Sequence, residues 1–163
     1  MDRQTLKDLY LKYGLTKDDV FKHQHYVIIT RSGIEKIQGQ ADINVEFEAK
    51  VLERDYAVIK ATAYIDAKKV VQTFGSAMIQ TIKQEIVKKK DKDGNLLDDI
   101  KQTRVGNCNT WYVAEMAEKR ALSRAVLKVT GFYELGVFGE DESEDFKKTK
   151  YDTKEKLQTL TNK

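Results

Sequence analysis

The sequence predicts an α+β domain in which an antiparallel β-meander of three or more strands packs against one long C-terminal helix, with short N-terminal helices ahead of it. Three observations carry this expectation. Residues 43 to 66, INVEFEAKVLERDYAVIKATAYID, alternate apolar and polar side chains at the period of a half-buried strand, and ERD marks a turn between two such strands. KVVQTFGSAMIQ supplies a third strand after the short connection IDAK, so a meander is the simplest arrangement. Residues 111 to 132, WYVAEMAEKRALSRAVLKVTGF, place alanines and aliphatic residues at helical spacing up to Gly131.

The remaining elements follow in order. TLKDLYLKYG spaces Leu6, Leu9, Tyr10 and Tyr13 along one helical face, with Gly14 as its stop. LTKDDVFKHQ reads as a second turn capped by Thr16, and HYVIIT as a strand from its β-branched and aromatic density. RSGIEKIQG places Ile34 and Ile37 on one face of a short helix. In the first meander strand, Val45, Phe47, Ala49 and Val51 are expected on one side. Residues 81 to 107 are highly charged around an Asp-Gly-Asn turn and read as a mobile hairpin or a long loop, inserted as a β-excursion or a binding loop. Asn109 or Thr110 is the expected cap of the long helix.

Composition bounds the organisation and the function. With 163 residues, 40% of them apolar and 34% charged, the chain can bury a core as a single domain over residues 1–139. Residues 140–163, an acidic run and then a lysine-rich stretch, are expected to form a flexible tail. A formal charge of +3 is small, so a polyanionic partner must be argued from where the cations sit. One cysteine, Cys108, excludes an internal disulfide framework and fits a reducing compartment. No apolar run approaches the ~20 residues of a membrane span, and MDRQTLKDLY lacks the apolar core of a signal peptide; the expected location is the cytoplasm, with no membrane partner.

The long helix carries an oddity. Arg120, Arg124 and Lys128 recur every four residues, stacking like charges that repel by roughly 0.2–0.5 kcal/mol per pair. Lys119 sits beside the row, and Glu115 and Glu118 are confined to the first turns. The stripe reads either as a solvated face or as a phosphate-binding ridge, since residues four apart advance about 6 Å, near the phosphate spacing of an extended single strand. Ala114, Ala117, Ala121 and Ala125 form a small-residue seam that lets the helix lie close to a sheet.

Catalytic chemistry finds little support. His23 and His25 form an H-x-H pair without a nearby Cys or carboxylate cluster, and Glu46 with Glu48 shares the polar face of a strand, which is commonplace at a surface. There is no GxxxxGK[ST] loop for ATP, and no Ser or Cys in a nucleophile motif. The chain is therefore expected to be no enzyme and to need no cofactor or metal. Trp111 and Tyr112 could stack on bases, but aromatic residues at a helix start more often belong to a core.

The order of elements and three strings then bring a family into view. AEKRALSRAVLKVTGF, FGSA at 74 to 77, and YVIITRSGIEKI resemble segments of the single-strand annealing proteins of phage recombination, the group that includes the Erf family and the eukaryotic annealing mediator Rad-fifty-two. The resemblance covers roughly residues 25 to 139, with the N-terminal helix, the 81 to 107 insertion and the tail outside it. It implies an oligomeric ring or arc whose groove holds single-stranded DNA by its phosphates, bases exposed for pairing, without ATP. Residue by residue, it implies that Arg31, Lys119, Arg120, Arg124 and Lys128 line that groove. If phage-encoded, the protein would act in a bacterial host cell, with the acidic run from Glu140 to Asp145 meeting a replication or recombination protein. Two other functions stay open: a non-annealing single-strand-binding protein, and an interaction protein whose basic helix face meets an acidic partner. A metal-dependent nuclease built on His23, His25, Glu46 or Glu48 is the third.

Overall fold

The computed structural model describes residues 3–109 and 111–143. Its first helix, α1 (Arg3–Lys12), buries Leu6, and Gly14 just beyond it takes a left-handed φ of 62°. A 3-10 turn over Lys17–Asp19 follows, with Thr16 and Asp19 in a reciprocal capping box. Strand β1 (Val20–His23) pairs antiparallel with β2 (Tyr26–Ile29), and α2 (Arg31–Gln40) starts at Thr30, whose hydroxyl accepts the Gly33 amide. Next come β3 (Asn44–Leu52), β4 (Tyr56–Ile65) and β5 (Lys69–Met78), an antiparallel meander in the order β3-β4-β5. β6 (Thr81–Lys90) and β7 (Leu96–Val105) form a separate two-stranded sheet. The long helix α3 (Val113–Thr130) ends at Gly131, φ 86°, and β8 (Val137–Gly139) returns to pair parallel with β2.

The expected fold is therefore present: an antiparallel meander packed against one long helix in a mixed α+β chain. Helix α3 is the centre of the molecule. One side lies on β4 and β5, and another meets α2 and β8, so Ala117, Ala121, Ala125, Val126, Leu127 and Val129 are all buried. The alanine seam works as its residue sizes suggest. A Cβ built at Gly75 of β5 would stand 2.2 Å from the Ala117 carbonyl oxygen and 2.3 Å from the Ala121 nitrogen, so strand and helix backbones touch where neither side has bulk. Phe132, past the helix end, closes the core against the rings of Tyr10 and Tyr13, whose centroids lie 6.1 and 5.7 Å away.

Four details differ from the sequence-based expectations. Val20–His23 is a strand, one that the sequence reading did not propose. In β3 the register shifts between Ala49 and Val51, so Val45, Phe47 and Ala49 share the helix-facing side while Val51 pairs with Val58 on the other. Helix α3 begins at Val113 after Tyr112, with no side-chain cap, rather than after Asn109 or Thr110. The acidic run, expected to open a loose tail, starts with a helical turn at residues 140 to 143 in which Glu142 and Ser143 are buried. The rest of the expected tail, 144 to 163, lies outside the described residues.

Asp19 ties the N-terminal elements together. Its carboxylate accepts the Thr16 amide and hydroxyl at 2.8 and 2.9 Å, Ser32 Oγ at 3.2 Å and Lys36 Nζ at 2.7 Å, and its carbonyl accepts the Thr30 amide. The lysine bond and then the threonine bonds hold its carboxyl down at about 2, against an ordinary value of 3.8. A depressed carboxyl stabilises the fold when ionised, so its contribution is complete above pH ~4 and fades as pH falls toward ~2. Unfolding free energy followed by urea titration from pH 7 to pH 2 should fall across that window in the parent. Asp19→Asn should start less stable and converge on the parent at the acid end. The seam gives a second test. Gly75→Ala should lower stability by about 2 kcal/mol or more, whereas Gly39→Ala, in α2 with nothing within 4 Å of the new Cβ, should raise it by about 0.5–1 kcal/mol.

Candidate nucleic-acid interface

The cationic stripe of α3 does not lie where the sequence places it. Arg120 is buried, 3% exposed, and its guanidinium is spent on three main-chain carbonyls: Nη1 to Ser76 at 2.8 Å, Nη2 to Asn107 at 2.9 Å and Nε to Asp141 at 3.2 Å. Arg124, one turn on, donates Nη1 to the Phe74 carbonyl at 2.9 Å, while its Nε and Nη2 pair with the buried carboxylate of Glu142. Phe74 and Ser76 lie on β5, the end strand of the meander, and their carbonyls face away from β4. Four residues of helix advance about 6 Å and two residues of strand about 6.6–6.8 Å, so arginines at i and i+4 meet successive outward carbonyls. The next outward group along the strand, Met78, is taken by the loop after β7. Its carbonyl accepts the amides of Asn107 and Cys108, and its own amide donates to Asn107 Oδ1 at 2.8 Å. The edge of β5 from Phe74 to Met78 is thereby closed.

This corrects the reading of Arg120 as part of a solvated or phosphate-facing ridge: a helix face rich in cations has turned toward carbonyls rather than water. Arg124 is partly covered and engaged by Glu142. Lys128 stands over the ring of Tyr133, 5.2 Å from its centroid. Lys119 is half-buried on the same helix. Arg31 opens α2; its side chain pairs with Glu35 at 3.4 Å, and its amide donates to Glu140 Oε2 at 3.2 Å. The acidic turn thus brings Arg31 and Arg124 to one neighbourhood through Glu140 and Glu142, with Ser123 Oγ donating to Asp141 between them.

An exposed pairing of aromatic and cationic groups lies elsewhere. Trp111 and Tyr112, which the sequence reading weighted toward the core, are 70% and 67% exposed. The Arg54 guanidinium lies over the Trp111 indole, 5.1 Å from the ring centroid. Arg54 belongs to the β3–β4 turn, which is tied to the root of the β6–β7 arm by Ile79 donating to the Asp55 carbonyl at 2.8 Å. Cys108, three residues before Trp111, is bridged to the same root by the Gln80 amide, which donates to its carbonyl at 2.7 Å. An aromatic platform with a cation on it therefore stands where the arm leaves the body.

The arm, residues 81 to 105, holds seven Lys and Arg against five Asp and Glu. Lys88 pairs with Asp98 at 3.2 Å and Lys89 with Asp99 at 3.4 Å. By register, Ile82, Ile86, Leu96 and Ile100 share one face, and all four are exposed, Ile86 at 76%. The sequence had signalled the Asp-Gly-Asn turn correctly: Asp91 accepts the amides of Asp93 and Asn95, and Gly94 takes a φ of 87°.

The candidate catalytic groups stay apart. Glu46 accepts the Tyr64 hydroxyl, Glu48 pairs with Lys50, and His23 and His25 flank the turn between β1 and β2. Among the described residues no three His, Cys, Asp or Glu side chains converge to hold a metal. No helix among them is long and apolar enough to cross a membrane. Removing Arg120 should expose its role. Arg120→Ala leaves three carbonyls without their donors and should lower stability by about 3 kcal/mol in chemical denaturation, while Lys119→Ala should change it by less than about 0.5 kcal/mol. No family model matches the chain, and neither does any curated protein or solved structure.

Proposed function

We propose that the protein binds single-stranded DNA and promotes pairing of complementary strands without ATP, acting in recombination of the phage type in the cytoplasm of a bacterial cell. One observation carries the reading. An exposed indole with an arginine on its face, next to an exposed tyrosine, stands at the root of a lysine-rich arm. Stacking on aromatic side chains is worth about 1–3 kcal/mol per base and tolerates any sequence, while arginine and lysine meet the backbone. On this reading Arg54, Trp111, Tyr112 and the arm make the first contacts, and Arg31, Lys119 and Lys128 extend them. Arg120 and Arg124 serve the fold that carries the site.

Association of copies into a ring or arc belongs to the same proposal. A two-stranded hairpin is marginal in water by itself, and the arm leaves four aliphatic side chains uncovered on one face. Seating that face on a different surface of a second copy makes a head-to-tail contact, which generates closed rings or open arcs.

The chain holds one tryptophan, so the assay is built in. Adding an oligothymidylate should quench Trp111 emission in a saturable way, and the affinity should fall steeply with salt as counterion release requires. Trp111→Ala and Arg54→Ala should each weaken binding roughly 5- to 100-fold, read by anisotropy of a labelled strand. Two complementary labelled strands should pair faster with protein than without it, in the absence of ATP and metal. Binding without that acceleration would make this a strand-protecting protein, and unchanged Trp111 emission under binding conditions would remove the aromatic platform from the site.

A further inference from the structure

The described surface has an open groove of about 600 Å³ between α1 and the first hairpin, lined by Arg3, Leu6, Lys7, Tyr10 and by residues of β1 and the turn that follows. The helical contribution falls at i, i+3, i+4 and i+7, a single face of α1. The strand side adds Val20, Phe21, Lys22, His25 and Val27. Leu6 and Val27 are buried in its floor, with Val20 and Tyr10 half-buried beside them, so the floor is apolar and fixed to the core. The rim is cationic: Arg3, Lys7 and Lys22 are exposed, and no acidic side chain is among the described residues that line the groove.

We infer that this groove binds a nucleotide, with the phosphate held by Lys7, Lys22 and Arg3 and the base resting on the apolar floor between them. Three separate cations around one opening ask for more than the single negative charge of a simple carboxylic acid, and phosphate supplies it. The opening is wide, which suits a flat ring covered on one face and not an acyl chain that needs enclosure. Its volume lies within the range of small-molecule sites. The phosphate-bearing base has two sources, a free mononucleotide or the terminal nucleotide of a strand. The site uses none of the residues that carry the proposed strand platform at Trp111, so the two stand or fall separately.

The test is a titration of isotope-labelled full-length protein by NMR with adenosine monophosphate, inorganic phosphate, octanoate and a 5′-phosphorylated oligonucleotide. Saturable shifts confined to α1 and β1, with a Kd below about 1 mM for the mononucleotide and weaker binding of inorganic phosphate, are expected. Lys22→Glu should weaken that binding at least tenfold without changing the spectrum elsewhere, while oligothymidylate still quenches Trp111. Groove shifts with the 5′-phosphorylated strand alone would assign the terminal nucleotide as the source. Equal affinity for phosphate and mononucleotide, preference for octanoate, shifts that ignore Lys22→Glu, or no groove shifts with any probe would each overturn the site.

Discussion

The guanidinium of Arg120 joins four parts of the chain that are separated in sequence. It reaches from the middle of α3 to the edge of β5 at Ser76, to the loop leaving β7 at Asn107, and to the turn after β8 at Asp141. A buried cation is tolerable only when its donors are satisfied, and here each of its three nitrogens has a carbonyl. Its position depends on the close approach at Gly75. Because the strand backbone lies directly on Ala117 and Ala121, the Arg120 side chain clears the sheet edge and turns back onto it. A larger residue at either place would lift the helix away and strand the charge.

Arg124 extends the arrangement by one helical turn and adds an ionic partner. The Phe74 carbonyl and the Glu142 carboxylate divide its donors, and Glu142 is itself 5% exposed, so the acidic turn buries its carboxylate against a partly exposed guanidinium. Repulsion between the stacked cations, small in any case, is answered by aligned carbonyl dipoles and one carboxylate. The end strand of the meander, which would offer unpaired carbonyls to another chain, is covered by the same side chains. β3, at the other end, has no such cover among the described residues; its helix-facing Phe47 and Leu52 are exposed.

Most of the architecture was legible because it rests on periodicity. Alternation marked β3 to β5, the alanine spacing of α3 marked the contact with the sheet, and Asp-Gly-Asn marked the arm's turn. The stripe of α3 was legible as a spacing but not as a partner. An advance of about 6 Å fits phosphates along a strand of DNA and fits alternate carbonyls along a β-edge equally well, and a sequence names neither. What decides between them is β5 lying antiparallel beside the helix, a tertiary fact. Trp111 and Tyr112 were missed for the opposite reason. Apolar area predicts burial on average, but α3 starts at Val113, and the two aromatics precede it in a segment held by main-chain bonds at Cys108 instead of by their own packing.

The arrangement separates structural cations from surface ones. Once Arg120 and Arg124 are committed to carbonyls and to Glu142, Lys119 and Lys128 are the cations that α3 has left to offer, and the main proposed contacts fall to groups that the fold holds at its periphery. Those groups lie on two unconnected features, the β6–β7 arm with its aromatic root and the groove beside α1, and each pairs cations with ring surface. That pairing suits ligands carrying both a flat apolar face and negative charge better than it suits an acidic protein surface, which presents carboxylates without rings. The chemistry of nucleotides matches both features, and on the proposed reading a polymer of them engages the first without displacing the contacts that cover β5 from Phe74 to Met78.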